Sequence, residues 1–259
     1  MMFVLLSSLI GFAASTFSSV FGGGFGLIAV PSIYWLIIHS DLHSVHAMQI
    51  TIATGTLCSI PLGIIASYKQ LCYRNVDLKL FKTIVMMITF GAIIGAYSAT
   101  VIASTYLKYI FAMIVFLAAL GLIYFHRHPK ARLKLSRFIF QLCAGLIGAF
   151  SVFAGVSVFI APFLIMNGIE TKKAIGTSTL LVFTYTLFGG TWLIFLGIPK
   201  MGISAHYFGY ANLDIFLPAV IPCLIGGLVG AKLTHVLPAA LLKKLFIAMM
   251  FVVSVIMIL

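Results

Sequence analysis

The chain has 259 residues, of which 63% are hydrophobic and only 8% charged. A mean hydropathy of +1.22 excludes a water-soluble globule of this size, because no soluble core takes up that much apolar side chain. Lipid leaves only helices or closed barrels as spanning structures. The apolar runs here are continuous rather than alternating, so the chain reads as an all-α polytopic membrane protein.

Ten apolar segments follow in order, at roughly 3–21, 25–38, 45–68, 77–100, 105–125, 137–154, 157–168, 174–197, 213–234 and 238–259. The first lacks a basic leader and has a counterpart at 137–154, so it is expected to be a retained helix rather than a signal peptide. It runs into Phe21-Gly22-Gly23-Gly24-Phe25, a glycine break before a short helix carrying Pro31. At about 1.5 Å per residue that helix is shorter than the roughly 30 Å hydrocarbon core, so it either re-enters or crosses with help. His39-x-Asp41-x-His43-x-x-His46 then offers nitrogen and oxygen ligands at loop spacing. The favoured reading is a polar loop in which Ser40 or Asp41 caps the next helix, and no metal is expected.

The third segment opens with His46-Ala47-x-x-Ile50-Thr51, with Gln49 one turn after His46 on the same face. Asn75-Val76-Asp77 precedes the fourth, which carries Gly91 and Gly95 at close-packing spacing. The fifth ends in a basic stretch from His126 to Arg137. Beyond it the pattern starts again. Phe153-Ala154-Gly155 forms a second break and Pro162 lies in a second short helix. Lys173-Ala174-x-x-Thr177-Ser178 lies 127 residues after the first Ala-x-x motif. Asn212-Leu213-Asp214 follows Asn75-Val76-Asp77 by 137, and Gly226 and Gly230 follow Gly91 and Gly95 by 135. The chain therefore divides into an N-terminal repeat (1–125), a basic linker (126–136) and a C-terminal repeat (137–259).

Most of the net charge of +12 serves topology. If each segment reverses direction and the linker is cytoplasmic, Lys69, Arg74, Lys79, Lys82, Lys172, Lys173, Lys232, Lys243 and Lys244 all fall inside. Only Lys108 and Lys200 fall outside, as the positive-inside rule requires. A rival arrangement with single broken spans at 3–38 and 137–168 would put Lys172 to Lys244 outside and is rejected. Five reversals per half make the repeats inverted, an arrangement used by secondary transporters. The expected partners are the bilayer and a small anion; homo-oligomerisation is compatible, and nucleic acid is not a partner.

A helix that starts after a glycine break presents unpaired N–H groups and a positive dipole end, an anion site when it lies inside the protein. The glycine break, the Pro-containing short helix, the Ala-x-x-Thr/Ser helix and their second copy resemble the TauE/SafE family of sulfite and organosulfur anion transporters, over essentially the whole chain. The resemblance implies a permease for small anions with site positions at Gly22, Gly23, Gly24, Pro31 and Thr51. In the second half it implies Gly155, Pro162, Thr177 and Ser178. Because Phe153-Ala154-Gly155 replaces three glycines, an asymmetric site is expected. The repeat alignment adds His46 and Lys173, which hold equivalent positions at helix starts, and Gln49 joins the candidates from its place one turn after His46 on the same face.

Asp41, Asp77, Glu170 and Asp214 are the only carboxylates, and all fall at segment ends. The chain thus lacks a buried acid for a proton relay. It also lacks the HExxH motif of a metalloprotease and a GxSxG elbow, so an intramembrane enzyme is disfavoured and no cofactor is expected. A membrane assembly or chaperone-like protein is the main alternative to transport. The four cysteines, Cys58, Cys72, Cys143 and Cys223, read as small packing residues.

Overall fold

The computed structural model describes residues 2–21, 23–40, 45–127, 135–153, 159–236 and 239–258. Helix α1 spans Met2–Phe21, α2 Phe25–Ile38, α3 Ala47–Cys72, α4 Leu78–Val101 and α5 Ser104–Arg127. Then come α6 Arg137–Phe153, α7 Ile160–Met166 and α8 Thr171–Tyr185. A π-helical turn at Thr186–Gly190 leads into α9, Thr191–Leu196, and α10, Ile198–Met201. A small hairpin, β1 Tyr207–Phe208 and β2 Ala211–Asn212, precedes α11 Leu213–Val236 and α12 Ala239–Ile258. Six of the described spans are long and apolar enough to cross a membrane, and the α8–α10 unit counts as one of them.

α4 shows how sequence selects a face. Met86, Phe90, Ile94 and Tyr97 recur every three to four residues and remain exposed, as a lipid-facing stripe should. The opposite stripe is buried and small, with Gly91, Ala92, Gly95, Ala96 and Ala99. A Cβ at Gly91 would overlap the carbonyl of Gly145, and one at Gly95 the carbonyl of Ala149, so α4 and α6 meet backbone to backbone. α1 and α11 do the same, with Gly226 against the Phe12 carbonyl and Gly230 against that of Thr16. These are the two most extensive helix pairings in the molecule. Other extensive contacts join α5 to α12, α2 to α3, α3 to α8, α1 to α2, α3 to α11 and α4 to α8.

The starts of α4 and α11 are built alike. Asp77 Oδ1 accepts the Leu80 N–H at 3.0 Å, and Asn212 Oδ1 accepts the Ile215 N–H at 2.9 Å. The backbone N–H of Asp77 donates to Thr177 Oγ1 on α8, and that of Asn212 donates to Thr54 Oγ1 on α3, both at 2.9 Å. Asp77 and Asn212 are 135 residues apart, the same spacing as Gly91–Gly226 and Gly95–Gly230. The sequence match of Asn75-Val76-Asp77 to Asn212-Leu213-Asp214 has a spacing of 137, two residues longer than that of the two caps.

α3 starts differently from expectation. Its N-cap is His46, without a side-chain cap bond, while the Met48 N–H donates to Ser104 Oγ of α5 at 2.7 Å. Ser40 instead turns its hydroxyl back to the Ile37 carbonyl, and Asp41 lies outside the described residues.

These contacts define two ends. One holds the C-terminus of α3, the starts of α4 and α8, and with them Lys69, Arg74, Lys79, Lys172 and Lys173; it is the basic end. The other holds the starts of α3, α5 and α11, the hairpin, Lys108, and Lys200, whose Nζ donates to the Thr100 carbonyl at 3.1 Å. Phe3 and Ser40 line one surface hollow with Asp214, so α1 and α2 reverse at the glycine break and both reach this second end.

Candidate functional site: a central cavity open at the basic end

A cavity of about 490 Å³ lies between the glycine break, α3, α8 and α11. The α3 wall is a stripe at three-to-four-residue spacing: Ile52, Thr56, Ser59, Gly63, Ala66, Lys69 and Tyr73. Gly55, Thr56, Ser59 and Gly63 are small or hydroxylated lining residues, with Leu62 among them, which leaves room for a solute; Lys69, Tyr73 and Asn75 form the mouth. Across from them stand Ile175, Thr179, Val182, Phe183 and Thr186 of α8 and its π turn, with Leu224 and Leu228 of α11. Lys69 is the only charged residue on this wall, no carboxylate joins it, and it makes no ion pair among the described residues.

The inner wall is the glycine break. Gly24, with φ 89° and ψ 23°, sits in the left-handed region that a side chain enters only at a cost. The Gly23 N–H donates to the Ser18 carbonyl at 2.9 Å, which folds the chain back sharply after α1. Phe25 and Gly26, the first residues of α2, face the cavity together with Ser18, Ser19 and Gly23. N–H groups in a first turn have no i−4 partner within their own helix, so this wall carries the positive end of the α2 dipole.

Among the residues singled out from sequence, Gly23 lines the cavity, and Gly24 sets the conformation beside it. Pro31 lies within α2 next to the lining residue Val30, and Pro162 lies within α7. Thr51, Thr177 and Ser178 are buried away from the wall: Thr51 donates to the Ala47 carbonyl, Ser178 to that of Ile175, and Thr177 accepts from Asp77. Gln49 is buried too, with Nε2 donating to the carbonyls of Ala99 and Ile102 at 3.1 and 2.8 Å; it fastens α3 to the end of α4. Lys173 is exposed in the first turn of α8 at the basic end, with no ion pair to Glu170. Gly22 and Gly155 lie outside the described residues.

His46 belongs to the opposite end. Its ring packs edge-on against Tyr210 with centroids 5.5 Å apart. Partial burial, and then the nearby Lys200 ammonium, push its pKa below the ordinary histidine value. His46 and Lys173 thus stand at opposite ends of the molecule.

Motif matching assigns Lys69 to topology, sets aside the hydroxyls of Thr56 and Thr179, and does not reach Ser59 or Thr186. Their signal is a helical stripe of small and hydroxyl residues ending in a lysine, rather than a repeated motif. Four of the α3 lining positions do recur on α8 at a spacing of 127: Ile52 with Thr179, Gly55 with Val182, Thr56 with Phe183, and Ser59 with Thr186.

Membrane-length helices around a central cavity describe a polytopic membrane protein with room for a small solute. A sequence model of the sulfite exporter TauE/SafE family matches residues 7–257, and the chain belongs to that family. It is 28% identical over 261 residues to a probable membrane transporter protein of Haemophilus influenzae, covering 98% of this chain and 97% of that one. It is also 28% identical over 216 residues to the probable membrane transporter protein YunE of Bacillus subtilis, covering 80% of this chain and 74% of the relative. No solved structure matches. The protein is accordingly a multi-pass transporter of the cytoplasmic membrane and not an enzyme.

Proposed function

We propose that the protein is a permease for small anions of the sulfite or sulfonate type, working by alternating access between two inverted repeats, 1–125 and 137–259, joined by a cytoplasmic linker. The observation that carries the anion reading is the wall chemistry of the cavity. One lysine, several hydroxyls and the first turn of α2 converge on a space that no carboxylate lines among the described residues. Anions gain from such a wall through charge-assisted hydrogen bonds and the helix dipole. Pockets of roughly 300–1,000 Å³ suit small organic solutes, and this one falls in that range at about 490 Å³.

The repeat reading is supported by reciprocity. Exchanging α1–α5 with α6, α7, α8, α11 and α12 in that order turns the α1–α11 pairing into α6–α4 and maps α3–α8 and α5–α12 onto themselves. The two hydroxyl-to-helix-start bonds exchange in the same way. Under the positive-inside rule the basic end is cytoplasmic, so the cavity faces inward.

The test is protection of a thiol in the cavity. Ser59→Cys, in a background with Cys72→Ser and Cys143→Ser, should react with a small maleimide offered from the basic end. Sulfite analogues that do not react with maleimide, such as short alkyl sulfonates, should slow that reaction, while choline should not. Equal rates with and without every anion would remove the cavity from the pathway.

A further inference from the structure

The two halves differ most where α3 and its counterpart hand over to the next long helix. α3 passes to α4 through the short turn Tyr73–Asp77, and the cavity mouth lies open beside it. The α8–α10 unit passes to α11 through Gly202–Asn212, which contains the hairpin. The wall residue Ala66 and the mouth residue Lys69 correspond, at the repeat spacing of 127 plus the extra residue of the π turn, to Ile194 and Gly197. Those are the two positions on which the hairpin sits. Gly209, at φ 56°, lies against the Ile194 carbonyl with no room for a Cβ, and Gly197 is pressed equally closely against the Tyr210 backbone and ring.

Tyr210 is fully buried between Gly197 and His46. Its hydroxyl has no hydrogen-bond partner among the described residues, nor do Asn212 Nδ2 and Gln49 Oε1, which are buried at the same end. A plug with such unsatisfied polar atoms gains solvation when it lifts, which offsets part of the packing it loses. His206 on the approach to the hairpin pairs with Asp214 of α11 at 2.8 Å, where both are exposed, so an outer tether can hold while the inner ring moves.

We infer that residues 203–212 are the outer gate, with Tyr210 as the plug over a second anion vestibule bounded by Gly190, Ile194, Gly197 and Lys200. This rests on the inverted-repeat permease proposed above and adds the element that closes its opposite face. Lifting the hairpin would expose the α9 wall that corresponds to the present α3 wall, while the basic end closes.

Ile194→Cys, in the Cys72→Ser and Cys143→Ser background, tests this with a membrane-impermeant maleimide applied to oriented vesicles. Labelling is expected from the outer face only, and about tenfold faster when Tyr210→Ala removes the plug. Tyr210→Phe, which keeps the ring, should stay slow. A separate measurement does not depend on that truncation folding. His46→Cys with Tyr210→Cys, oxidised to a cross-link, should stop anion flux, and a reductant should restore it. Full flux in the cross-linked protein, or Ile194→Cys labelling that ignores residue 210 or comes from the basic face, overturns the gate. If wild-type vesicles carry anions while either of those results holds, the gate fails and the permease stands; absence of any wild-type anion flux sinks both.

Discussion

Removing the charge of Lys69 is the sharpest perturbation of the cavity, because no other charged residue lines it among the described residues. Two unit charges 4 Å apart interact by about 1 kcal/mol in water and about 4 kcal/mol at an effective dielectric of 20. Lys69 is solvent-exposed at the mouth, so the lower part of that range applies. A loss of about 1–2 kcal/mol corresponds to roughly a five- to thirtyfold weaker apparent affinity for a monovalent anion. The assay is concentration-dependent uptake into proteoliposomes with Lys69→Gln, Lys69→Arg and wild type, at low and high ionic strength. Lys69→Gln should raise KM by that factor, Lys69→Arg should stay near wild type, and added salt should narrow the difference. Lys79→Gln, at the same end but off the cavity wall, should change KM little. If Lys69→Gln and Lys79→Gln behave alike at both ionic strengths, the charge of the mouth does not select the solute.

Thr177→Val and Thr54→Val each leave a backbone N–H at a helix start without its partner. That costs about 1–3 kcal/mol in a buried setting, so each variant should melt several degrees lower in detergent while Ser98→Ala, on an exposed face, should not. Gly91→Leu and Gly226→Leu should force apart α4–α6 and α1–α11 respectively, and size-exclusion chromatography should show little monodisperse protein for either. Burial and Lys200 depress the His46 pKa below 6.5 in the folded state. The unfolded chain therefore binds the proton first, and the stability tied to neutral His46 is present above that pH and lost as pH falls through the depressed value. The wild-type melting temperature should fall further on acidification than that of His46→Phe; parallel curves would detach His46 from the packing around Tyr210.

The long helices were legible because lipid demands continuous apolar runs, and the glycine break was legible because a reversal needs residues without a Cβ. Helix α2 covers Phe25–Ile38, the same residues that the apolar run marks. The hairpin was not legible. Its pairing depends on Gly209 and Tyr210 finding Ile194 and Gly197, contacts that no local pattern announces. The π turn was not legible either: Gly189 and Gly190 lie in it, and a Cβ on them would run into Ala92 and Thr56, contacts set by the packing of other helices.

For the site, the family resemblance pointed to Thr51, Thr177 and Ser178, which lie on or beside the repeated Ala-x-x motif. Repeated residues mark equivalent positions, and at a helix crossing those positions serve packing as readily as substrate. All three hydroxyls are engaged with backbone groups. The wall of α3 announces itself by a different rule, a polar and small stripe ending at Lys69, which helical periodicity alone can find.

The most direct test of the account is flux through the purified protein. Reconstituted in liposomes, it should move sulfite, thiosulfate or a short sulfonate down an imposed gradient, saturably and with competition among them, while neutral solutes and small cations stay excluded. Equal permeation of neutral solutes, or no anion movement from protein shown to be folded and inserted, would contradict it.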